Sequence, residues 1–167
     1  MSLVLRALHL IYFMAPAYAA NMSPPLIKYW RGWNRPISRR WLGSHKTVMG
    51  FAAGLLGALA TTFVQHAIAG ATGIAVDGWA ELGLRFGLGA MLGDTVKSFF
   101  KRRLHIAPGH PWIPFDQLDF VAGALILVAP GSVLGPSDLA MVLVLSFGGH
   151  IAVNRVAYWL RIRDVKW

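Results

Sequence analysis

The chain has 167 residues, 56% of them hydrophobic and 14% charged, with a mean hydropathy of +0.52. Ordinary soluble domains carry roughly 25% charged residues, so a water-soluble enzyme or binding module is excluded at the outset. Sixteen Lys and Arg against seven Asp and Glu give a net charge of +9, and the absence of cysteine removes disulfides, thiolate metal sites and thiol nucleophiles.

The positive charge flanks apolar runs instead of forming a tail, which points to anionic partners at a membrane. Lipid headgroups or a nucleoside triphosphate suit that field, and nucleic acid suits so apolar a chain least. Nothing between the apolar runs is polar enough to fold separately, so residues 1–167 read as a single integral membrane domain. The predicted fold is an all-α membrane protein of about five transmembrane helices: Leu3 to Ala20, Thr47 to Ala69, Ala80 to Phe100, Leu118 to Leu134 and Leu139 to Leu160. At ~1.5 Å per residue most of these match a hydrocarbon core of ~30 Å. The fourth is short and carries Pro130 near its end.

The first span also has the outline of a secretory signal, with Arg6, an apolar stretch and Ala17-Tyr18-Ala19. A single charge ahead of the stretch and Pro16 within it favour a retained helix. Asn21 and Ser23, followed by Pro24 and Pro25, mark a broken helix end whose freed backbone groups can line a cavity, or a simple termination. Lys28, Arg31, Arg35, Arg39, Arg40 and Lys46 fill the first loop, and Leu42-Gly43-Ser44-His45-Lys46-Thr47 then leads into the second span. A Lys and hydroxyls at a helix N-terminus favour phosphate. Gly43 and Lys46 are nevertheless too close together for a P-loop.

Small residues recur four apart at Gly50 and Gly54, Gly83 and Gly87, and Gly89 and Gly93, a spacing that lets helices approach closely in lipid. Packing within one bundle is the first reading of these rows and a homodimer face the second. The second loop, residues 70–79, and the fourth, residues 130–138, contain no Lys or Arg, whereas Lys101, Arg102 and Arg103 open the third and Arg161, Arg163 and Lys166 close the chain. By the positive-inside rule the N-terminus lies outside, the C-terminus in the cytoplasm, and the number of spans is odd. Glu81 and Arg85 form an i,i+4 pair near the outer face, and His9, His66 and His150 read as hydrogen-bonded packing residues. Most of the seven tryptophans stand where an interfacial aromatic belt belongs.

The chemistry concentrates from Gly93 onward. Asp94, Ser98, Lys101 and Arg102 fall at i, i+4, i+7 and i+8 and share one helix face. Basic residues at a helix end can simply snorkel to the headgroups. Asp94 cannot, because a carboxylate inside a span costs ~2.5 to 3.5 kcal/mol unless it is paired, hydrated or bound to a metal. A proline-punctuated loop, Pro108-Gly109-His110-Pro111-Trp112-Ile113-Pro114-Phe115, precedes Asp116 and Asp119, two carboxylates three apart at the start of the fourth span. They serve either as helix caps or as ligands to a hard cation, and Mg²⁺ typically takes one or two carboxylates plus substrate phosphates. Beside Asp94 and the Lys-Arg stripe, the metal reading is the stronger.

These residues together resemble the cytidylyltransferases that make CDP-activated lipids, the CDP-diacylglycerol synthase superfamily, and within it the CDP-archaeol synthases. The shared order is met by Gly93-Asp94, Ser98, Lys101-Arg102, Pro108-Gly109-His110 and Asp116-x-x-Asp119. The bacterial signature continues the Pro-Gly-His with two glycines and places Arg inside the Asp pair. Pro111-Trp112 and Gln117 stand there instead, and Gly43 to Gly50 is similar to the archaeal Gly-x-x-Lys-Thr-x-x-Gly.

The resemblance implies that CTP reacts with 2,3-bis-O-geranylgeranyl-glycerol 1-phosphate, an isoprenoid ether lipid phosphate, to give CDP-archaeol and pyrophosphate. It implies a catalytic set of Asp94, Lys101, Arg102, Asp116 and Asp119, with Mg²⁺ on Asp94, Asp116 and Asp119. Asn21, Lys46, Thr47, Lys97, Ser98, Lys101 and Arg102 would bind the nucleotide and phosphates, in a multi-pass protein of the cell membrane whose site faces the cytoplasm. The residues suit this chemistry, since a lipid phosphate is already an anionic nucleophile and what it needs is charge compensation. A CDP-alcohol phosphotransferase is faintly echoed by Asp77-Gly78 but fails at Ala80-Glu81. A small transporter is disfavoured because the polar residues gather on one side of the membrane instead of at its midplane.

The loop charges make a topology prediction. Single cysteines introduced at Arg35 and His105 should react only with a reagent applied from the cytoplasm, and one at Gly73 only from outside. Labelling of the Gly73 site from the cytoplasm would overturn the orientation.

Overall fold

The computed structural model describes residues 2–107 and 110–159, and within them every named element is helical; one isolated bridge joins Pro36 and Thr47. Helix α1, Leu3–Met22, opens where the Ser2 hydroxyl accepts from the Leu5 N–H at 3.3 Å, and it passes through Pro16. It closes at Ser23, whose hydroxyl donates to the Ala19 carbonyl at 2.7 Å, and a 3₁₀ turn, Pro24–Tyr29, follows. Helix α2, Val48–Ala67, is capped by the Thr47 hydroxyl, which accepts from Gly50 N–H at 3.1 Å. A one-turn helix α3, Ala69–Thr72, stops at Gly73, where φ is +69°. Helix α4, Trp79–Arg103, runs for 25 residues, α5, Phe115–Val128, for 14, and α6, Pro136–Trp159, for 24.

The five long helices alternate in direction, and α4 is the centre, packed against α1, α2 and α5, while α6 leans on α1 and α5. The core is formed where Met14 and Ala17 of α1, Ala58 of α2, Phe86 and Ala90 of α4, Val121 and Ala124 of α5 and Val142 of α6 meet. The Phe13 ring meets Phe86 edge-on with centroids 5.2 Å apart, and Tyr18 meets Phe120 in the same way at 6.1 Å. The first helix is thus an integral wall of the core.

Polar groups inside the bundle are paired across helices. The Gln65 amide donates to the Tyr12 carbonyl at 2.6 Å, and the Tyr18 and Ser146 hydroxyls lie 2.8 Å apart. At one end Arg6 holds Asp138 at 2.6 Å and the Ser137 hydroxyl at 2.8 Å, tying the starts of α1 and α6 together. Glu81 and Arg85 make the expected ion pair on α4, and His66 and His150 are hydrogen-bonded to the Val76 carbonyl and the Asn154 amide.

Three segments among the described residues are long and apolar enough to cross a membrane: Leu3–Ile27, Val48–Ala67 and Pro136–Val156. Helix α4 has the length, but its last three turns carry Asp94, Lys97, Lys101, Arg102 and Arg103. The fourth predicted span, drawn to Leu134, differs most. Its helix ends at Val128 and tightens into a 3₁₀ turn, Ala129–Gly131, because Pro130 cannot donate into the helical ladder. Fourteen residues rise only ~21 Å, short of a ~30 Å core. Leu160, Arg161, Arg163 and Lys166, with Pro108 and Gly109, lie outside the described residues.

The glycine rows serve two neighbours at once. A Cβ on Gly83 or Gly87 would meet the Leu59 or Leu55 backbone of α2 at 3.0 to 3.1 Å. On the other side of α4, a Cβ on Gly93 would sit 2.1 Å from the Asp119 carbonyl oxygen, and one on Gly123 equally close to that of Gly89. Backbone therefore touches backbone between α4 and α5, which is the intrachain use of the motif.

Gly93→Ala should consequently separate α4 from α5 and lower thermal stability in lipid or detergent, by about 1 to 3 kcal/mol, the usual cost of overpacking. Gly148→Ala is the control, since no atom lies within 4 Å of its Cβ position. Equal tolerance of the two substitutions would refute the close-contact account.

Candidate active site

The close approach at Gly93 sets Asp94 and Lys97 of α4 opposite Asp116 and Asp119 of α5. Lys97 is the centre of the resulting cluster. Its ammonium lies 2.7 Å from Asp119 Oδ2, 3.1 Å from Asp94 Oδ1 and 3.2 Å from Asp116 Oδ1. Two further lysines flank it. Lys46 forms an ion pair with the other oxygen of Asp94. Lys101 donates to both oxygens of Asp116, at 3.0 and 2.9 Å, and to the His110 carbonyl at 2.6 Å.

Lys46 arrives from the first loop, which folds back on itself through hydrogen bonds from Ile37 N–H to the Lys46 carbonyl at 2.8 Å and from Val48 N–H to the Arg35 carbonyl at 3.0 Å. The loop is clamped onto the end of α4 by the Trp41 ring, stacked on Phe99 with centroids 5.8 Å apart and covered by the Arg103 guanidinium at 4.9 Å. Gly43, at φ +86°, turns the chain beside the Arg102 side chain. On the α5 side, Asp116 accepts from the Trp112 N–H at 2.6 Å, so its carboxylate fixes the approach of the third loop. Burial of Asp116 opposes its charge. The Lys101 ammonium, the Trp112 N–H and the Lys97 ammonium compensate for it.

Asp119 differs from its neighbours in being 4% exposed. Its Oδ1 has no hydrogen-bond donor and its Oδ2 has only the Lys97 ion pair. A buried carboxylate oxygen without a donor is costly unless a cation completes it. Among the described residues no three Asp, Glu or His side chains come together as a ready-made metal cage, since the three carboxylates converge on an ammonium. Hard oxygens from Asp94 and Asp119 on adjacent helices are nevertheless the ligand type that Mg²⁺ takes.

Two cavities flank α4. One, of about 730 Å³, lies between α4 and α5 with Lys97, Asp119, Trp112 and Phe115 at one end and Ile126 and Leu127 at the other. It is an almost wholly apolar groove, about 18 Å long at the helical rise. The second, of about 40 Å³, lies between the first loop and α4, lined by His45, Lys46, Thr47, Asp94 and Thr95. Asp94 and Lys97 stand between the two.

Of the residues singled out from sequence, Lys46, Asp94, Lys97, Lys101, Asp116 and Asp119 come together. The others have different surroundings. Ser98 is buried with its hydroxyl on the Asp94 carbonyl at 2.8 Å, and Thr47 caps α2 while lining the smaller cavity. Arg102 is half-buried, with a buried Nε that has no hydrogen-bond partner. Asn21 stands half-buried in the last turn of α1. Sequence reasoning missed Gln117, 2% exposed with Oε1 unpartnered, and Thr95 and His45 in the smaller cavity. The only signal for Gln117 was its place between the two aspartates.

Comparison with known proteins shows the family. A family model described as CarS-like CDP-archaeol synthase matches residues 1–167. The CDP-archaeol synthase of Thermofilum pendens is 39% identical, over 93% of this chain and 78% of its own. That of Methanothermobacter thermautotrophicus is 38% identical over 97% and 95%, and that of Thermococcus kodakarensis 34% over 93% and 94%. A solved structure, described as an intramembrane enzyme for archaeal membrane lipids biosynthesis, superposes with a TM-score of 0.72 at 31% identity, covering 86% of this chain and 91% of that one.

Proposed function

The chain belongs to the CDP-archaeol synthase family, cytidylyltransferases of archaeal membrane lipid biosynthesis, and on that premise we propose that it uses CTP to activate 2,3-bis-O-geranylgeranyl-glycerol 1-phosphate. The observation that carries this reading is the placement of Lys97 and Asp119 at the head of the long apolar groove. Isoprenoid chains would lie along α5 with the phosphate at the Lys97 end. The triphosphate would approach from the other side of α4, where Lys46, His45 and Thr95 line the smaller cavity.

An oxygen of the lipid phosphate, already anionic, attacks the α-phosphorus of CTP. The new P–O bond forms as the bond to the β-phosphate oxygen breaks, and pyrophosphate leaves with the electron pair. No proton need be removed from the nucleophile, so the residues act by position and charge. Lys97 orients the lipid phosphate, while Lys46 and Arg102 compensate the triphosphate and its leaving end. Lys101, held between Asp116 and the His110 carbonyl, fixes the third loop over the site. Asp94, Asp119 and, on trading one lysine contact, Asp116 would hold Mg²⁺, which when bound neutralises charge building on the phosphates. The five long helices would lie in the cell membrane, with α5 reaching through only part of its depth, and the carboxylate end would face the cytoplasm.

Purified protein given labelled CTP, Mg²⁺ and one lipid phosphate at a time tests the assignment. CDP-lipid and pyrophosphate should form in equal amounts, and the unsaturated isoprenoid ether lipid should outcompete phosphatidic acid. Equal or greater use of the diacyl lipid would remove the ether-lipid specificity, and no CDP-lipid from any of them would remove the function.

Asp119→Asn keeps the side-chain shape while removing the charge. It should fold normally and lose on the order of 10²- to 10³-fold in turnover, the scale of one lost transition-state interaction of ~3 to 4 kcal/mol. Turnover across a Mg²⁺ titration, with thermal stability alongside, measures this. Activity within a few-fold of wild type at limiting Mg²⁺ would remove Asp119 from the metal site.

A further inference from the structure

We propose that Lys97 is a tethered cation that holds the three carboxylates together until a divalent metal displaces it, which frees its ammonium for the lipid phosphate only after the metal has arrived. This rests on the metal site proposed above and adds an order of events to it. An ammonium carries three protons, and Lys97 has three carboxylate oxygens within 3.2 Å, from Asp94, Asp116 and Asp119. Two of those aspartates are fixed on helices whose backbones touch at Gly93, so they cannot move apart to relieve their repulsion. Some cation must sit among them. At 15% exposure the Lys97 side chain is largely shielded from water, yet it also lines the larger cavity. Its flexible four-carbon stem allows the amine to leave the cluster toward that cavity without backbone movement. Asp119 Oδ1, without a donor while Lys97 is in place, marks coordination that an ammonium leaves unfilled and a divalent cation would take. Metal loading then exposes the cation at the head of the apolar groove, and the lipid phosphate binds second.

Binding of Mn²⁺ alone to the full-length protein in detergent, followed by electron paramagnetic resonance without nucleotide, tests the exchange. Lys97→Met and Lys97→Gln should each bind Mn²⁺ at least tenfold more tightly than wild type, because the resident competitor is gone. Lys101→Met should gain less than threefold, since Lys101 touches Asp116 but neither Asp94 nor Asp119. Unchanged or weaker binding in the Lys97 variants would overturn the proposal, as would an equal gain in Lys101→Met, which would reduce the effect to net charge. Asp119→Asn in the otherwise wild-type chain should weaken Mn²⁺ binding at least tenfold, and no change there would sink the metal site itself, whatever Lys97 does. Reductive methylation of wild-type protein, read by peptide mass spectrometry, needs no variant to fold. Lys97 should be protected without metal and reactive at saturating Mn²⁺, and protection that metal does not alter would overturn the exchange.

Discussion

Everything at the charged end of this protein depends on the contact between α4 and α5, where Gly89, Gly93 and Gly123 let two backbones touch. In lipid there is no hydrophobic force to press helices together, so close van der Waals contact between small residues has to supply the attraction. One consequence is local. With the Asp119 carbonyl against Gly93, the side chains one turn away on each helix are forced into a shared space. Three carboxylates meet there, and three ammoniums, of Lys46, Lys97 and Lys101, face them. Buried charge is costly unless it is paired and hydrogen-bonded, and the equal count is what makes the buried cluster tolerable.

The first loop completes the arrangement from outside the bundle. It brings a lysine to Asp94 by closing on itself between Arg35 and Val48, and it is held down by an aromatic and cationic clamp of Trp41, Phe99 and Arg103. The ion pair and the clamp lie on different sides of α4's last turns, so the loop has little freedom to swing as a rigid body. The third loop is fixed by other means, through the Trp112 N–H and the His110 carbonyl, both bound within the Asp116 and Lys101 pair.

Much of this was legible in the sequence. Helix positions followed from apolar runs, Asp94 declared itself by its cost within a span, and the glycine rows announced close packing. The centre of the site was harder to see. A stripe drawn four and seven residues from Asp94 passes over Lys97, which lies three residues on, and only the distance across to α5 reveals that this lysine is surrounded by carboxylates. Ser98 and Thr47 looked like ligands by residue type, yet their hydroxyls are engaged with the backbone, a competition that spacing does not display. Hydropathy carried the fourth span past Val128, because a window average blurs the break at Pro130. Gln117 gave no periodic signal, since burial of a single amide depends on which helices surround it.

The two cavities on opposite faces of α4 also bear on kinetics. On the proposed reading, one substrate comes from water in three dimensions and the other slides laterally into an apolar groove. For the lipid the relevant concentration is then a mole fraction in the surface, and adding inert lipid would slow the reaction at constant bulk amounts. A single helix, about 10 to 12 Å across with its side chains, would separate the aqueous route from the planar one. Such an enzyme senses the composition of the membrane it helps to build through the crowding of its own substrate.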